Sequence, residues 1–238
     1  MDNSGFGPYL IFEIPIPGTD IVIPVTQTVT VSWLIIGVLA IVFFLLTRRL
    51  ERIPRPVQAV LETAVETVDK LVKDTMGPNC MGFAPYIGSV MIFLACANLC
   101  GLVGLRPPTA DLNTTLGYAM ITFALIHISG VRANGLGGHL KGFTQPVALL
   151  TPINLIGEVA LPISLSFRMF GNLTGGLIIM ELIYSLLGSL SSMLGSTIPF
   201  LQIAIPVPFH FYFDVFSGLI QTFIFTMLTM VNISNKME

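Results

Sequence analysis

Between Gly142 and Val231 the only Asp, Glu, Lys or Arg residues are Glu158, Arg168, Glu181 and Asp214. A run this long and this poor in charge belongs in lipid, where backbone amides must be satisfied within the segment, and that means helix. The rest of the chain continues the theme. Of its 238 residues, 53% are hydrophobic and only 10% are charged, against about 25% charged in soluble domains. The sequence therefore predicts an all-α polytopic membrane protein, with residues 1–238 as a single membrane domain. The net charge of −2 says little. Where the charges fall says more.

Residues 1–27 carry Pro, Gly and the alternation Ile-Phe-Glu-Ile-Pro-Ile, which predicts an extended or turn-like segment outside the membrane. No basic, apolar leader of the cleavable kind precedes it. A first span over 28–47 is uncharged, with Trp33 near its start as an interfacial anchor. Arg48, Arg49, Arg52 and Arg55 follow it, so this end is cytoplasmic and the N-terminus lies outside. Over 56–76, Val57, Val60, Leu61, Val65, Val68 and Val72 recur at helical spacing among Glu62, Glu66, Asp69, Lys70, Lys73 and Asp74. That pattern predicts an amphipathic helix on the cytoplasmic surface, with a solvated linker helix as the alternative.

Ordinary spans follow over 86–105 and 115–131, joined outside by the turn-rich stretch from Arg106 to Asn113. His127, near the end of the third span, reads as an interfacial or packed residue. Arg132, Asn134-Gly-Leu-Gly-Gly138, His139 and Lys141 read as a Gly-rich cytoplasmic loop. Two long arms remain, 142–188 and 199–234, separated by the polar, Pro-containing stretch from Ser189 to Pro208. Each is longer than a perpendicular span needs at about 1.5 Å per residue. They are expected to be steeply tilted, or bent near Pro162, Pro206 and Pro208. Of the Lys and Arg residues, Arg106 alone falls outside and Arg168 alone falls within the membrane; the others, Lys236 included, are cytoplasmic. Cys96 and Cys100 stand four apart on one helical face and read as small buried hydrophobes rather than a disulfide or metal pair.

An arginine at membrane depth costs about 2.5–3.5 kcal/mol on insertion scales, so Arg168 is a functional-site candidate by default. Ser164 and Asn172 lie one helical turn either side of it, and Gly171 and Gly175 continue nearly the same face. Small residues in that spacing allow another helix to approach closely. Helix packing explains the glycines but not an arginine among them. Glu158, about 15 Å earlier along the axis, is too far to pair with it. On the final arm Asp214, Ser217, Gly218 and Gln221 share a face, yet Gln221 cannot neutralise a charge. The countercharge is expected on another subunit. Singly, Glu158, Glu181 and Asp214 each read equally as hydrogen-bonded structural groups. Together with His210 they form one titratable set toward each side of the membrane, with a permanent cation between them. That design moves ions and blocks a short-circuit.

Four blocks then carry a resemblance to subunit a of the F-type ATP synthase, the stator ion channel of the Fo sector. They are Pro107-Pro-Thr-Ala-Asp-Leu-Asn-Thr114, Asn154-Leu-Ile-Gly-Glu158, Pro162-Ile-Ser-Leu-Ser-Phe-Arg168-Met-Phe-Gly-Asn172 and Gln221-Thr-Phe-Ile-Phe-Thr-Met-Leu-Thr229. The resemblance implies two tilted C-terminal helices against a rotating c-ring. It implies that Arg168 meets the carboxylate of each passing c-subunit, with Gln221 facing it and Asn172 in the same motif. Glu158 would serve the cytoplasmic half-channel, and Asp214, aided by Glu181 or His210, the outer one. Ser164, Gly171 and Gly175 would contact the c-ring. Partners implied are the c-ring, the b subunits of the peripheral stalk and the remaining F1Fo complex in a bacterial-type plasma membrane. No nucleic acid, cofactor, metal site or catalytic residue is expected, since the subunit is a channel and not itself an enzyme. The chain departs from many bacterial relatives at Leu177, where they carry Glu, and at Leu161, often basic. The competing reading is a secondary ion-coupled transporter, whose usual pair of matching interrupted segments is missing. Whether the ion is proton or sodium is not written in these residues.

Overall fold

The computed structural model describes residues 9–15, 22–48, 50–51, 56–144, 147–194, 199 and 201–237. Arg49, Arg52 and Arg55 of the basic cluster, and part of the stretch dividing the two arms, lie outside the described residues. The architecture is all-α, with five helical stretches long and apolar enough to cross a membrane.

The N-terminal segment is a small hairpin. Strand β1 (Leu10–Pro15) pairs antiparallel with β2 (Val22–Thr26), with Phe12 opposite Val25 and Glu13 opposite Pro24. A two-stranded ribbon leaves each strand an edge, which is where proline is tolerated. The Gln27 amide donates to the Tyr9 carbonyl at 2.8 Å, so the hairpin closes where helix α1 (Gln27–Thr47) begins. Only Thr28, Val31 and Ile35 of α1 are buried. Its other apolar side chains, such as Ile36, Ile41 and Phe44, face outward, as lipid-facing residues do.

Helix α2 (Pro56–Met76) divides its apolar stripe. Val68, Leu71, Val72 and Met76 pack on the bundle, while Val57, Val60 and Val65 are exposed. Its first turn is fixed by Gln58, whose Oε1 accepts from the Glu51 amide at 3.0 Å and whose Nε2 donates to the Glu51 carbonyl at 2.9 Å. A 3-10 turn (Pro78–Phe83) leads into α3 (Ala84–Leu99); Cys96 within it and Cys100 just after it are free thiols against apolar side chains. The turn-rich connection that follows tucks Pro108, Thr109 and Ala110 into the bundle.

Helix α4 (Leu112–Gly142) starts at Asp111, whose Oδ1 accepts from the Asn113 amide at 3.0 Å. It runs past the predicted span end at 131 and through the predicted loop. The glycines do not unwind the chain; they fold it. Gly135 adopts φ 70°, ψ 166°, a conformation other residues rarely take, and the last turns double back on the first part. His139 then lies over Gly130, where a Cβ would come within 2.7 Å of its Nδ1.

Helix α5 (Thr151–Met193) holds 43 residues, begins later than position 142 and ends later than 188. It is continuous through Pro162, whose ring removes the amide that would bond the Glu158 carbonyl. At 1.5 Å per residue it is about 64 Å long, roughly twice the hydrocarbon thickness. The final arm starts with α6 (Leu201–Ala204) and α7 (Pro206–His210). It widens to a π-helical stretch (Phe211–Ser217) and ends as α8 (Gly218–Met237). Two buried clusters hold the bundle. One joins Val31, Phe93, Leu94, Met169 and Phe225; the other joins Val72, Ile87, Ile126, Met230 and Ile233. The last arm therefore threads the core, and α5 packs one flank on it.

Candidate functional site

The faces of α5 decide where Arg168 points. Leu165, Met169, Leu173 and Gly176 are buried, which turns Ser164, Arg168 and Gly171 to the exposed side, with Gly175 at its margin. A Cβ added at Gly171 or Gly175 would meet nothing within 4 Å, whereas one at Gly176 would sit 3.4 Å from Phe213 Cδ1. The glycines thus serve two different surfaces. Gly176 lets the final arm pack closely, and Gly171 and Gly175 leave a flat, open strip beside Arg168. Among the described residues Arg168 makes no hydrogen bond or ion pair.

Behind this face the two arms are stitched by amides and hydroxyls. Ser217 Oγ donates to Asn172 Oδ1 at 3.0 Å. Thr115 and Ser166 hydroxyls meet at 3.1 Å. Gln221 is buried on α8, and its Nε2 has no hydrogen-bond partner among the described residues. The largest polar knot centres on Asn98 of α3. Its Nδ2 donates to the Gly218 carbonyl at 2.9 Å and to Thr222 Oγ1 at 3.0 Å, while Thr109 Oγ1 donates to its Oδ1 at 2.7 Å. Asn98 and Thr109 are fully buried, so these bonds fix the start of α8 against α3.

Two separate titratable clusters flank Arg168. The first lies where α7 passes into the π-helical stretch, against α5. His210 Nδ1 lies 2.6 Å from Asp214 Oδ2, and His210 Nε2 lies 3.0 Å from the Tyr184 hydroxyl of α5. The Asp214 carboxyl is mostly buried, against the turn after α3, where a Cβ on Gly101 would stand 3.2 Å from its Cγ. Gln202 Nε2 donates to the Tyr184 carbonyl at 2.7 Å and holds the arms together there. The second cluster surrounds Glu158, whose Oε1 is ion-paired with Lys236 Nζ from the end of α8. Its Oε2 faces His127 Nε2 of α4 at 3.6 Å, and His127 Nδ1 is 3.1 Å from His139 Nε2. Along α5, Glu158 precedes Arg168 by about 15 Å and Tyr184 follows it by about 24 Å. Asp214 and His210 are brought together; Glu181 is exposed and makes no hydrogen bond or ion pair among the described residues.

This chain matches the ATP synthase A chain family over residues 29–234. It belongs to that family. Among relatives of this kind, the ATP synthase subunit a of Moorella thermoacetica is 37% identical over 214 residues, covering 90% of this chain and 91% of that protein. The sodium-ion-specific ATP synthase subunit a of Propionigenium modestum is 35% identical over 229 residues, covering 90% and 74% respectively. A subunit a of Syntrophotalea carbinolica is 37% identical over 217 residues, covering 89% and 86%. Its five long apolar helices, together with this family, make the chain an integral membrane protein.

Several residues of this chain that the structure places at the clusters carry little sequence signal. Tyr184 stands 26 residues before its His210 partner, and no periodicity links them. Asn98 looks like one polar residue in an apolar helix, although a lone buried amide must find partners. His127 and Lys236 come to Glu158 from two other helices, a meeting only the tertiary fold reveals.

Proposed function

We propose that the chain is the ion-translocating stator subunit of the Fo sector, and that Arg168 separates two offset half-channels serving a rotating c-ring. The observation that carries this reading is the exposed position of Arg168 beside an open strip of Ser164, Gly171 and Gly175. A cation without a partner among the described residues, on a surface open to close approach, suits a carboxylate arriving on another subunit. Its permanent charge repels a proton and keeps the two access paths from joining. Gln221 and Asn172 form the amide lining behind it, and Ser217 holds Asn172 in place.

The Tyr184–His210–Asp214 chain is the outer half-channel in this account, and it takes over the role that the absent carboxylate at Leu177 would have played. Groups in hydrogen-bond contact that can each take and release a proton suit proton transfer, so the proposed ion is the proton. Sodium, the ion named for the Propionigenium modestum relative, is the outcome that would revise this. Glu158 serves the cytoplasmic half-channel. The basic residues near α1, α2 and the chain end set the orientation, with the N-terminus outside and Lys236 cytoplasmic. The length of α5 fits a steep tilt along the ring. Exposed Val57, Val60 and Val65 of α2 fit a helix lying in the cytoplasmic interface. Partners on this reading are the c-ring, the b subunits and the remaining F1Fo complex. ATP-driven ion pumping by the reconstituted complex carrying Arg168→Ala is the experiment that tests it.

A further inference from the structure

The Glu158 cluster contains more ionisable groups than a simple structural ion pair requires. Glu158 Oε1 is occupied by Lys236, and Oε2 is buried without a hydrogen-bond partner among the described residues. His127 Nε2 is likewise buried and unpartnered, and the two atoms face each other at 3.6 Å. A movement of a few tenths of an ångström brings them into hydrogen-bond range, about 2.7–3.2 Å. From His127 the line continues through Nδ1 to His139 Nε2 at 3.1 Å. His139 sits on the segment that Gly135 folds back, and residues 132–138 beside it are exposed. The fold-back is what places a second imidazole next to the first. Lys236 is fixed in turn: its carbonyl accepts from Asn134 Nδ2 at 3.1 Å, and its ammonium stands 4.9 Å from the centre of the Phe143 ring.

We propose that His127 and His139 form a two-imidazole proton wire joining Glu158 to the solvent at the Gly135 bend, with Lys236 as the positioning residue that holds the Glu158 carboxylate toward it. The inference rests on the reading of Glu158 as a group of the cytoplasmic half-channel. A protonated Glu158 passes its proton from Oε2 to Nε2 of neutral His127. The imidazolium releases its Nδ1 proton to Nε2 of His139, which releases one from Nδ1 to water. One proton crosses, Glu158 returns to a carboxylate paired with Lys236, and each ring regains its starting tautomer by losing the Nε2 proton and taking one up at Nδ1. The charged and titratable groups facing His127 are Glu158 from α5, His139 from the folded-back end of α4 and Lys236 from α8.

Proton flux through the reconstituted whole complex tests the wire, measured while the pH on the cytoplasmic face is varied across the ordinary imidazole range, around 6.5. His127→Gln is expected to lower flux by at least about tenfold and to flatten the part of the pH profile that wild type shows near that value. His139→Ala is expected to lose flux that free imidazole in the medium restores, a rescue that a purely structural role would not give. Lys236→Arg should keep the wild-type profile and Lys236→Gln should displace it. Should His127→Gln fail to assemble, His139→Ala with and without imidazole decides the matter. Wild-type flux and profile in both histidine variants, with Glu158→Gln slow, overturns the wire alone. Undiminished flux in Glu158→Gln overturns the half-channel reading beneath it.

Discussion

His210, the last residue of α7, is joined to Asp214 in the π-helical stretch that follows, His210 Nδ1 lying 2.6 Å from Asp214 Oδ2. Side chains four residues apart on a helix are neighbours, and the same imidazole also reaches Tyr184 on the other arm at 3.0 Å. Single π turns inside long helices mark functional sites more often than chance. Here it carries the acid of a chain whose imidazole ends α7 and whose phenol comes from α5.

Asp214→Asn keeps the shape of this chain and removes the group that releases a proton. Flux through the reconstituted complex should fall by at least about tenfold, while Asp214→Glu should largely preserve it. Equal flux in wild type and both variants would take Asp214 out of the path. Tyr184→Phe tests the third member, since it deletes only the hydroxyl that meets His210. A smaller loss of flux than in Asp214→Asn is expected, with the complex assembled normally.

The two glycine surfaces should respond in opposite ways. Gly171→Leu adds a side chain to the open strip beside Arg168, so coupled pumping should drop severely while the thermal stability of the solubilised complex stays near wild type. Gly176→Leu forces a side chain into Phe213, an overpacking that costs about 1–3 kcal/mol. Thermal unfolding in detergent should therefore show a lower midpoint for Gly176→Leu only.

Asn98→Leu keeps the branched shape of the side chain but leaves the Thr109 hydroxyl without its present partner, while the Gly218 carbonyl keeps the Thr222 hydroxyl. A buried polar group left unpaired costs about 1–3 kcal/mol. The variant should unfold at lower temperature and accumulate less assembled complex, since the start of α8 loses its anchor to α3.

The membrane spans were legible because length and missing charge are local properties: Thr28 to Leu46 and Gly142 to Val231 announce themselves. Arg168 was legible for the opposite reason, as a charge where charge is expensive. The fold-back at Gly135 was not, because Arg132, His139, Lys141 and the glycines have the composition of a loop whether they wander or fold into a short returning helix. The apolar stripe of α2 is correctly periodic, yet periodicity cannot say that its second half packs and its first half does not. The π-helical stretch leaves no periodic signature either, so Asp214, Glu181 and His210 stand in the sequence only as a set of candidates, and Tyr184 does not stand out at all. Contacts such as Lys236 with Glu158 lie 78 residues apart, and they exist because α4, α5 and α8 converge there.

ATP-driven pumping by the reconstituted complex carrying Arg168→Ala measures the central claim most directly. That complex should assemble but no longer build an ion gradient, because nothing engages the arriving carboxylate or keeps the two access paths apart. Normal coupled pumping in that variant would contradict it.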